Sequence, residues 1–149
     1  MTAVNDRVEI EALVFEYARR IDDGDFAGVG ALFAEGSVCA PDGTPLATGA
    51  EAVEALYAAT TRRYEDGTPR SHHVTSNLTV VIDLSTATAR SYFTVFQATD
   101  GLSLQPIVAG HYDDTFARTG GGWRFDRRVM HLRLVGDVSK HLLIDLPQP

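Results

Sequence analysis

Apolar positions near the start of the chain follow a helical repeat and predict an amphipathic helix over residues 5–23. These positions share one helix face and are Ile10, Leu13, Val14, Tyr17, Ala18 and Ile21. Asn5 or Asp6 is the predicted N-cap, and Gly24 is the predicted stop because glycine favours the left-handed conformation at helix ends. Asp22 then falls in the last turn, where the negative end of the helix dipole disfavours a carboxylate. We therefore expect the pKa of Asp22 to be raised, as a base working near neutral pH requires.

A short strand and two more helices are predicted in the next part of the chain. Asp25 is the predicted cap of a short second helix. A strand over residues 37–40 and a Pro-Asp-Gly turn follow, because proline presets φ and glycine accepts a positive φ. The third helix is predicted over residues 49–64. Its predicted buried side chains are Val53, Leu56 and Tyr57.

The second half of the chain changes from helical to strand periodicity. Segments rich in β-branched and aromatic residues predict four strands, over residues 78–84, 87–99, 104–118 and 123–135. Three helices followed by such a meander predict an α+β fold, in which a curved antiparallel sheet forms a cone-shaped α+β barrel packed on three N-terminal helices. An apolar cavity between sheet and helices is then expected, and it would suit a small hydrophobic organic ligand.

Length and composition predict a single domain over residues 1–149, with a core of about 5–135, a C-terminal tail of 136–149 and a loose end at Pro147-Gln148-Pro149. The hydrophobic and charged fractions, 44% and 22%, are typical of a soluble globular protein. A net charge of −7 argues against nucleic-acid binding, which needs clustered lysine and arginine. Cys39 is the only cysteine, which excludes an intrachain disulfide. No signal peptide or membrane-spanning run is found, so we expect no membrane association and a cytoplasmic location.

Asp22 and His73 are the candidate catalytic pair, a carboxylate and an imidazole from distant segments. His72 and His73 are neighbours on a predicted strand, so only one of their side chains can enter the cavity. The alternative interpretation is a solvated aspartate at a helix end and a strand histidine satisfied by hydrogen bonds.

Tyr17 is a candidate acid or a core tyrosine. Arg128 either points inward, where it would hold a leaving group or carboxylate, or points outward as a solvated strand charge.

Four more side chains are candidates for substrate binding, because they lie on strands that we expect to line the cavity. They are His111, Tyr92, Tyr112 and His131. Packing explains each of them at least as well. We expect no metal, because the sequence contains neither a His-x-x-x-His helix pair nor a His-x-His strand pair. No phosphate-binding glycine loop is present, and no elbow motif for a serine nucleophile is present.

Short motifs occur in a defined order along the chain. They are Tyr17-Ala18-Arg19-Arg20-Ile21-Asp22, Leu32-Phe33-Ala34, Gly49-Ala50-Glu51-Ala52-Val53, His73 with Asn77, Gly110-His111-Tyr112 and Gly122-Trp123-Arg124-Phe125. Their order and spacing resemble the SnoaL-like branch of the nuclear transport factor 2-like superfamily over roughly residues 5–135. Among enzymes of that superfamily, the site residues are most similar to those of lindane dehydrochlorinase, bile-acid 7α-dehydratase and scytalone dehydratase.

The resemblance implies roles for four residues. The family aspartate falls on Asp22, and the His-x-x-x-Asn spacing puts the family histidine on His73. The dehydrochlorinase arginine falls on Arg128, and the dehydratase tyrosine falls on Tyr17. The dehydrochlorinase has a lysine where Tyr17 stands, so the auxiliary groups differ from those of that enzyme.

The function implied is a cofactor-independent lyase of the dehydratase or dehydrohalogenase kind, acting on a small cyclic organic molecule. Isomerisation or cyclisation of a steroid or polyketide in the same pocket is one alternative. A non-catalytic small-ligand-binding module, or a structural module similar to a dioxygenase β subunit, is another. We also expect a homo-oligomer that covers the broad outer face of the sheet, and the resembling dehydratases favour a trimer over a dimer.

Overall fold

The computed structural model of the protein describes residues 3–146. Within these residues lie three helices, namely α1 (Ala3–Asp22), α2 (Phe26–Leu32) and α3 (Ala50–Thr60). The strands of the same region are β1 (Ser37–Cys39), β2 (Pro45–Thr48), β3 (Ser71–Asp83), β4 (Thr86–Thr99), β5 (Leu102–Thr119) and β6 (Gly122–Val135). No helix in the described part of the chain is both long and apolar enough to cross a membrane.

The strands form one sheet in the order β2-β1-β6-β5-β4-β3. Neighbours are antiparallel except β1 and β6, which pair in parallel. The predicted α+β fold, a curved sheet with three helices, is confirmed, although the sheet is not closed into a barrel. The edge strand β2 was not predicted, because its four residues are too few to show an alternating pattern.

The C-terminal end of α1 is fixed by backbone hydrogen bonds around Gly24, which has a φ of +73°. The N–H of Gly24 donates to the carbonyl of Ile21 at 2.9 Å. The following N–H, of Asp25, donates to the carbonyl of Arg20 at 2.9 Å. These two bonds form a Schellman motif, so the predicted helix stop is confirmed. A β-carbon at Gly24 would lie 1.9 Å from the carbonyl oxygen of Gly67, which requires glycine here.

The predicted N-cap of this helix, at Asn5 or Asp6, is wrong because α1 begins at Ala3. Asp6 lies in the first turn, where the helix dipole favours a carboxylate. Its side chain accepts hydrogen bonds from the indole Nε1 of Trp123 at 3.1 Å and from the guanidinium of Arg118 at 2.5 Å. These bonds offset the cost of burying the carboxylate, and they attach the start of α1 to the sheet.

The apolar face of α1 packs against the concave face of the sheet. Its buried side chains are Ile10, Val14, Tyr17 and Ile21. The same core contains the stacked pair Phe33 and Phe125, whose ring centroids lie 4.7 Å apart. The helix therefore contributes one face to the core and carries the candidate aspartate at its end.

Strand β3 begins at Ser71 and ends at Asp83, so it includes both histidines and all but the last residue of the predicted segment 78–84. A β-bulge between Ser76 and Thr79 interrupts its alternation. Asn77 occupies the bulge with a φ of +53°, a conformation that asparagine adopts more readily than most residues. The Asn77 of the sequence motif thus has a backbone role in this strand.

Two other boundaries differ from the predictions. Helix α3 ends at Thr60, and its last turn is followed by extended backbone at Thr61. Residues 136–146 fold back on the domain, where Leu142 forms a β-bridge with Thr61. The predicted loose end, residues 147–149, lies outside the described residues.

Candidate active site

Asp22 and His73 meet where the last turn of α1 contacts the beginning of β3. The Nδ1 atom of His73 lies 2.6 Å from Oδ1 of Asp22. The backbone N–H of His73 donates to Oδ2 at 2.7 Å, and the hydroxyl of Ser71 donates to Oδ1 at 2.8 Å. Both oxygens of the carboxylate are therefore held by β3, which fixes the orientation of the imidazole relative to the helix.

The pKa of Asp22 is lowered, and the predicted increase is wrong. Burial acts to raise this pKa, but the hydrogen bonds and charge of the His73 side chain, with the His73 backbone and Ser71, outweigh it. The dipole of α1 alone would raise this pKa, but the donors that β3 supplies have the larger effect. Asp22 is consequently an ionised carboxylate at neutral pH.

An ionised Asp22 determines which nitrogen of His73 carries the proton in the neutral imidazole. A carboxylate can only accept hydrogen bonds, so Nδ1 of His73 must donate. The lone pair of the neutral ring is then on Nε2. This is the arrangement in which an orienting carboxylate prepares a histidine to act as a base.

The two neighbouring histidines point to opposite faces of β3. The side chain of His73 is 8% exposed and that of Asp22 is 20% exposed. His72 is exposed on the other face of the strand. The pair is thus partly removed from water, which distinguishes it from a surface ion pair.

Arg128 points inward and is fully buried against Asp114. Its Nε and Nη2 atoms each donate to a different oxygen of that carboxylate at 2.8 Å. The guanidinium also lies over the rings of Tyr17 and Tyr112, at 4.2 Å and 3.7 Å from their centroids. Burial acts to lower the pKa of Arg128, but the charge and hydrogen bonds of Asp114 raise it overall, so the guanidinium stays charged.

Two tyrosines, Tyr17 and Tyr112, pack against this guanidinium in the core, and a third, Tyr57, contacts Tyr17. The hydroxyl of Tyr17 contacts the hydroxyl of Tyr57, and the ring of Tyr17 packs edge-on against that of Tyr112. Burial raises the pKa of Tyr17, and it raises those of Tyr57 and Tyr112 well above the usual value. All three are neutral phenols at physiological pH and so can donate hydrogen bonds.

Sequence reasoning did not identify several polar groups near the pair. The position of Ser71 could have been predicted, since it is two residues before His73 and so shares its strand face. The positions of His141 and Gln97 could not have been predicted, because these residues reach the site from the C-terminal segment and from β4. The pKa of His141 is lowered to about 4, mostly by burial and partly by the charge of nearby His73, against the opposing charge of Asp22.

This buried histidine makes stability depend on pH. An unfolded histidine titrates near 6.5, whereas His141 titrates near 4 in the fold, so the unfolded state binds more protons between these values. The free energy of unfolding is therefore highest above pH 6.5 as far as His141 is concerned. It decreases as the pH falls from 6.5 to 4, and His141 causes no further change below pH 4. We expect the loss to be about 3 kcal/mol in unfolding free energy. Urea denaturation of wild type and His141→Gln at several pH values measures it as the difference between the two curves. A constant difference from pH 7 to pH 4 would contradict the prediction.

Three of the four predicted substrate-binding side chains lie on the outer face of the sheet. Tyr112 points inward, and the adjacent His111 must therefore point outward. Tyr92 and His131 are the cross-strand partners of His111, so they share its outer face. The expectation that Tyr92, His111 and His131 line an interior cavity is wrong, because the period of the strands excludes it.

Two grooves are found away from the Asp22–His73 pair. One, of about 400 Å³, lies on the sheet and is bordered by Thr79, Val81, Thr88, Arg90, Asp113 and Thr115 among others. The second, of about 490 Å³, lies between Arg62 and the C-terminal segment 136–146. Neither groove includes the pair, and the interior cavity between sheet and helices stays a prediction.

The chain matches a known protein family and several solved structures. The family model of the SnoaL-like domain matches residues 2–129. A solved structure of a nuclear transport factor 2-like protein with a cystatin-like fold, from Novosphingobium aromaticivorans, is 28% identical. That match covers 87% of this chain and 82% of the other, with a TM-score of 0.72. The search of curated proteins found no match.

Two further structures from the same organism show the same fold. A scytalone dehydratase candidate is 22% identical over 90% of this chain and 88% of its own, with a TM-score of 0.70. A candidate β subunit of an aromatic-ring-hydroxylating dioxygenase is 20% identical over 85% of this chain and 88% of its own, with a TM-score of 0.63.

The chain belongs to the SnoaL-like domain family of the nuclear transport factor 2-like superfamily. The resemblance predicted from the sequence is therefore confirmed.

Proposed function

We propose that the protein is a cofactor-independent lyase that removes a proton and a leaving group from adjacent carbons of a small cyclic organic molecule. The observation that supports this most directly is the 2.6 Å hydrogen bond between Asp22 and His73, whose side chain is largely buried. In the neutral ring the lone pair is on Nε2, and this is the atom that would act as the base. The likeness to a scytalone dehydratase candidate agrees with a dehydratase-type reaction.

His73 is the proposed base, and Asp22 is the group that orients it. Nε2 of His73 takes a proton from the carbon next to the leaving group or carbonyl. The ring then becomes an imidazolium, whose positive charge the adjacent carboxylate stabilises. The electron pair of the broken C–H bond forms the new double bond as the leaving group departs. General-base assistance of this kind contributes about 10²–10⁴-fold in rate.

Tyr17 and Arg128 are the proposed auxiliary groups, which stabilise the leaving group or an enolate. Tyr17 lies five residues before Asp22 on α1, which corresponds to about 7.5 Å along the helix axis. The neutral phenol donates a proton or hydrogen bond, and the permanently charged guanidinium supports the developing negative charge.

Product analysis tests the reaction type. The wild-type protein is incubated with cyclic substrates that carry an acidic C–H beside a hydroxyl or halide, and the products are identified by mass spectrometry. A lyase gives a product lighter by water or hydrogen halide. An isomerase, the alternative that the same pair would serve, gives a product of unchanged mass. No conversion across the panel together with stoichiometric binding would favour the non-catalytic ligand-binding alternative.

Self-association is a separate proposal that rests on the outer face of the sheet. Large apolar or aromatic side chains are exposed there, including Val81 at 61% and Tyr92 at 53%. Covering such side chains is a common reason for symmetric assembly. We expect a homo-oligomer in solution, with a trimer favoured by the resembling dehydratases. Multi-angle light scattering at micromolar concentration measures the mass, and a monomer would contradict the prediction.

A further inference from the structure

Two histidines and an aspartate converge on the outer face of the sheet, opposite the Asp22–His73 site. His111 and His131 are directly paired across β5 and β6, and their rings stack with centroids 4.4 Å apart and planes at 12°. Asp113 is two residues after His111 and so shares its face. The Nε2 atom of His131 lies 3.1 Å from Oδ2 of Asp113, and that of His111 lies 3.6 Å from the same oxygen.

These distances match the spacing of ligands around one metal ion. Zinc binds imidazole nitrogen and carboxylate oxygen at about 2.0–2.2 Å, so tetrahedral ligand atoms lie about 3.3–3.6 Å from each other. All three donor atoms lie within 4.8 Å of one another. A metal ion could therefore contact the three atoms after small side-chain rotations, without movement of the strands. The prediction of no metal rested on the absence of histidine pairs along one helix or one strand. His111 and His131 instead form a pair across two neighbouring strands.

The surroundings of the three residues prepare them for binding. Nε of Arg90 donates to Oδ1 of Asp113 at 2.8 Å, which orients the carboxylate and leaves Oδ2 towards the histidines. Such a second hydrogen-bonded group is usual for metal ligands.

The geometry points to a binding site for a divalent first-row transition metal, with His111, Asp113 and His131 as ligands. The two nitrogen ligands favour zinc, cobalt or iron over magnesium and calcium, which prefer oxygen. Their side chains are 15%, 38% and 26% exposed, respectively, in the single chain, so the site is open on the side that faces away from the sheet. The remaining coordination position is available to water or to a group from outside the chain.

Metal titration of the full-length, untagged protein tests this proposal. Zn²⁺ binding is followed by calorimetry, and Co²⁺ binding is followed by its visible absorption. We expect one ion per chain with a Kd in the micromolar range or tighter. His131→Gln and Asp113→Asn should weaken binding at least about tenfold. His72→Gln is the matched control, since His72 is an exposed histidine on the same face of the sheet, and it should bind as wild type does.

An NMR measurement on the wild-type protein avoids any dependence on the folding of the variants. On addition of Zn²⁺, the imidazole signals of His111 and His131 should shift or broaden together, while that of His72 should not change. Binding that is only millimolar, binding that the His131 and Asp113 variants leave unchanged, or shifts confined to other histidines would each overturn the proposal. None of these outcomes depends on whether the Asp22–His73 pair is catalytic.

Discussion

Replacing His73 with alanine is expected to lower turnover by about 10²–10⁴-fold while the fold is retained. The substitution removes the base, and it also removes the hydrogen bond to Asp22 without touching the backbone N–H that binds the same carboxylate. Asp22→Asn is expected to cause a similar loss. The amide preserves shape but cannot stabilise an imidazolium, and it can present an N–H that favours the wrong tautomer of His73. The measurement is kcat/KM on a substrate that the wild-type protein converts.

His72→Ala is the matched control for this prediction. It removes the neighbouring imidazole from the same strand, but from the exposed face, so turnover should be close to that of wild type. Circular dichroism and thermal unfolding would show that all three variants are folded. If the His73 and His72 variants have the same activity as wild type, then the pair is structural and the ligand-binding alternative takes its place.

The second large effect is expected for stability, at the buried ion pair of Arg128 and Asp114. Asp114→Ala leaves the guanidinium fully buried without its carboxylate, because both side chains are 0% exposed. Breaking a buried pair from one side costs about 3–5 kcal/mol in unfolding free energy. Urea denaturation of the metal-free protein, with the slope checked for two-state behaviour, measures this loss.

Asp113→Ala provides the comparison, because it removes the adjacent carboxylate on the outer face. Asp113 is paired with Arg90, whose side chain is 64% exposed, and solvent-exposed pairs contribute about 0–1 kcal/mol. A double variant with Arg128→Met and Asp114→Leu should recover much of the stability lost in Asp114→Ala, since no charge is then buried. Equal losses for the two aspartates would show that burial of the guanidinium is not what makes the inner pair important.

Local patterns were sufficient for most of the elements and for part of the site. The helical repeat from Ile10 to Ile21 defined α1, because a helix that buries one face needs apolar residues at that spacing. Gly24 indicated the end of α1, because few other residues adopt its φ. Strand alternation implied that His72 and His73 point to opposite faces. The same rule, applied to His111 and Tyr112, would have shown that both cannot face the interior.

Contacts between distant segments were decided only by the tertiary structure. The pKa of Asp22 is lowered because β3 brings Ser71 and His73 to its oxygens, and no local pattern on α1 contains those donors. The burial of Arg128 depends on Asp114 of the adjacent strand, and the position of His141 depends on the return of the C-terminal segment. The helical and strand repeats in the sequence specify which face a side chain occupies, because these repeats follow from backbone geometry. Which side chains meet on that face depends on strand register and on the packing of helices against the sheet, and these are properties of the whole chain.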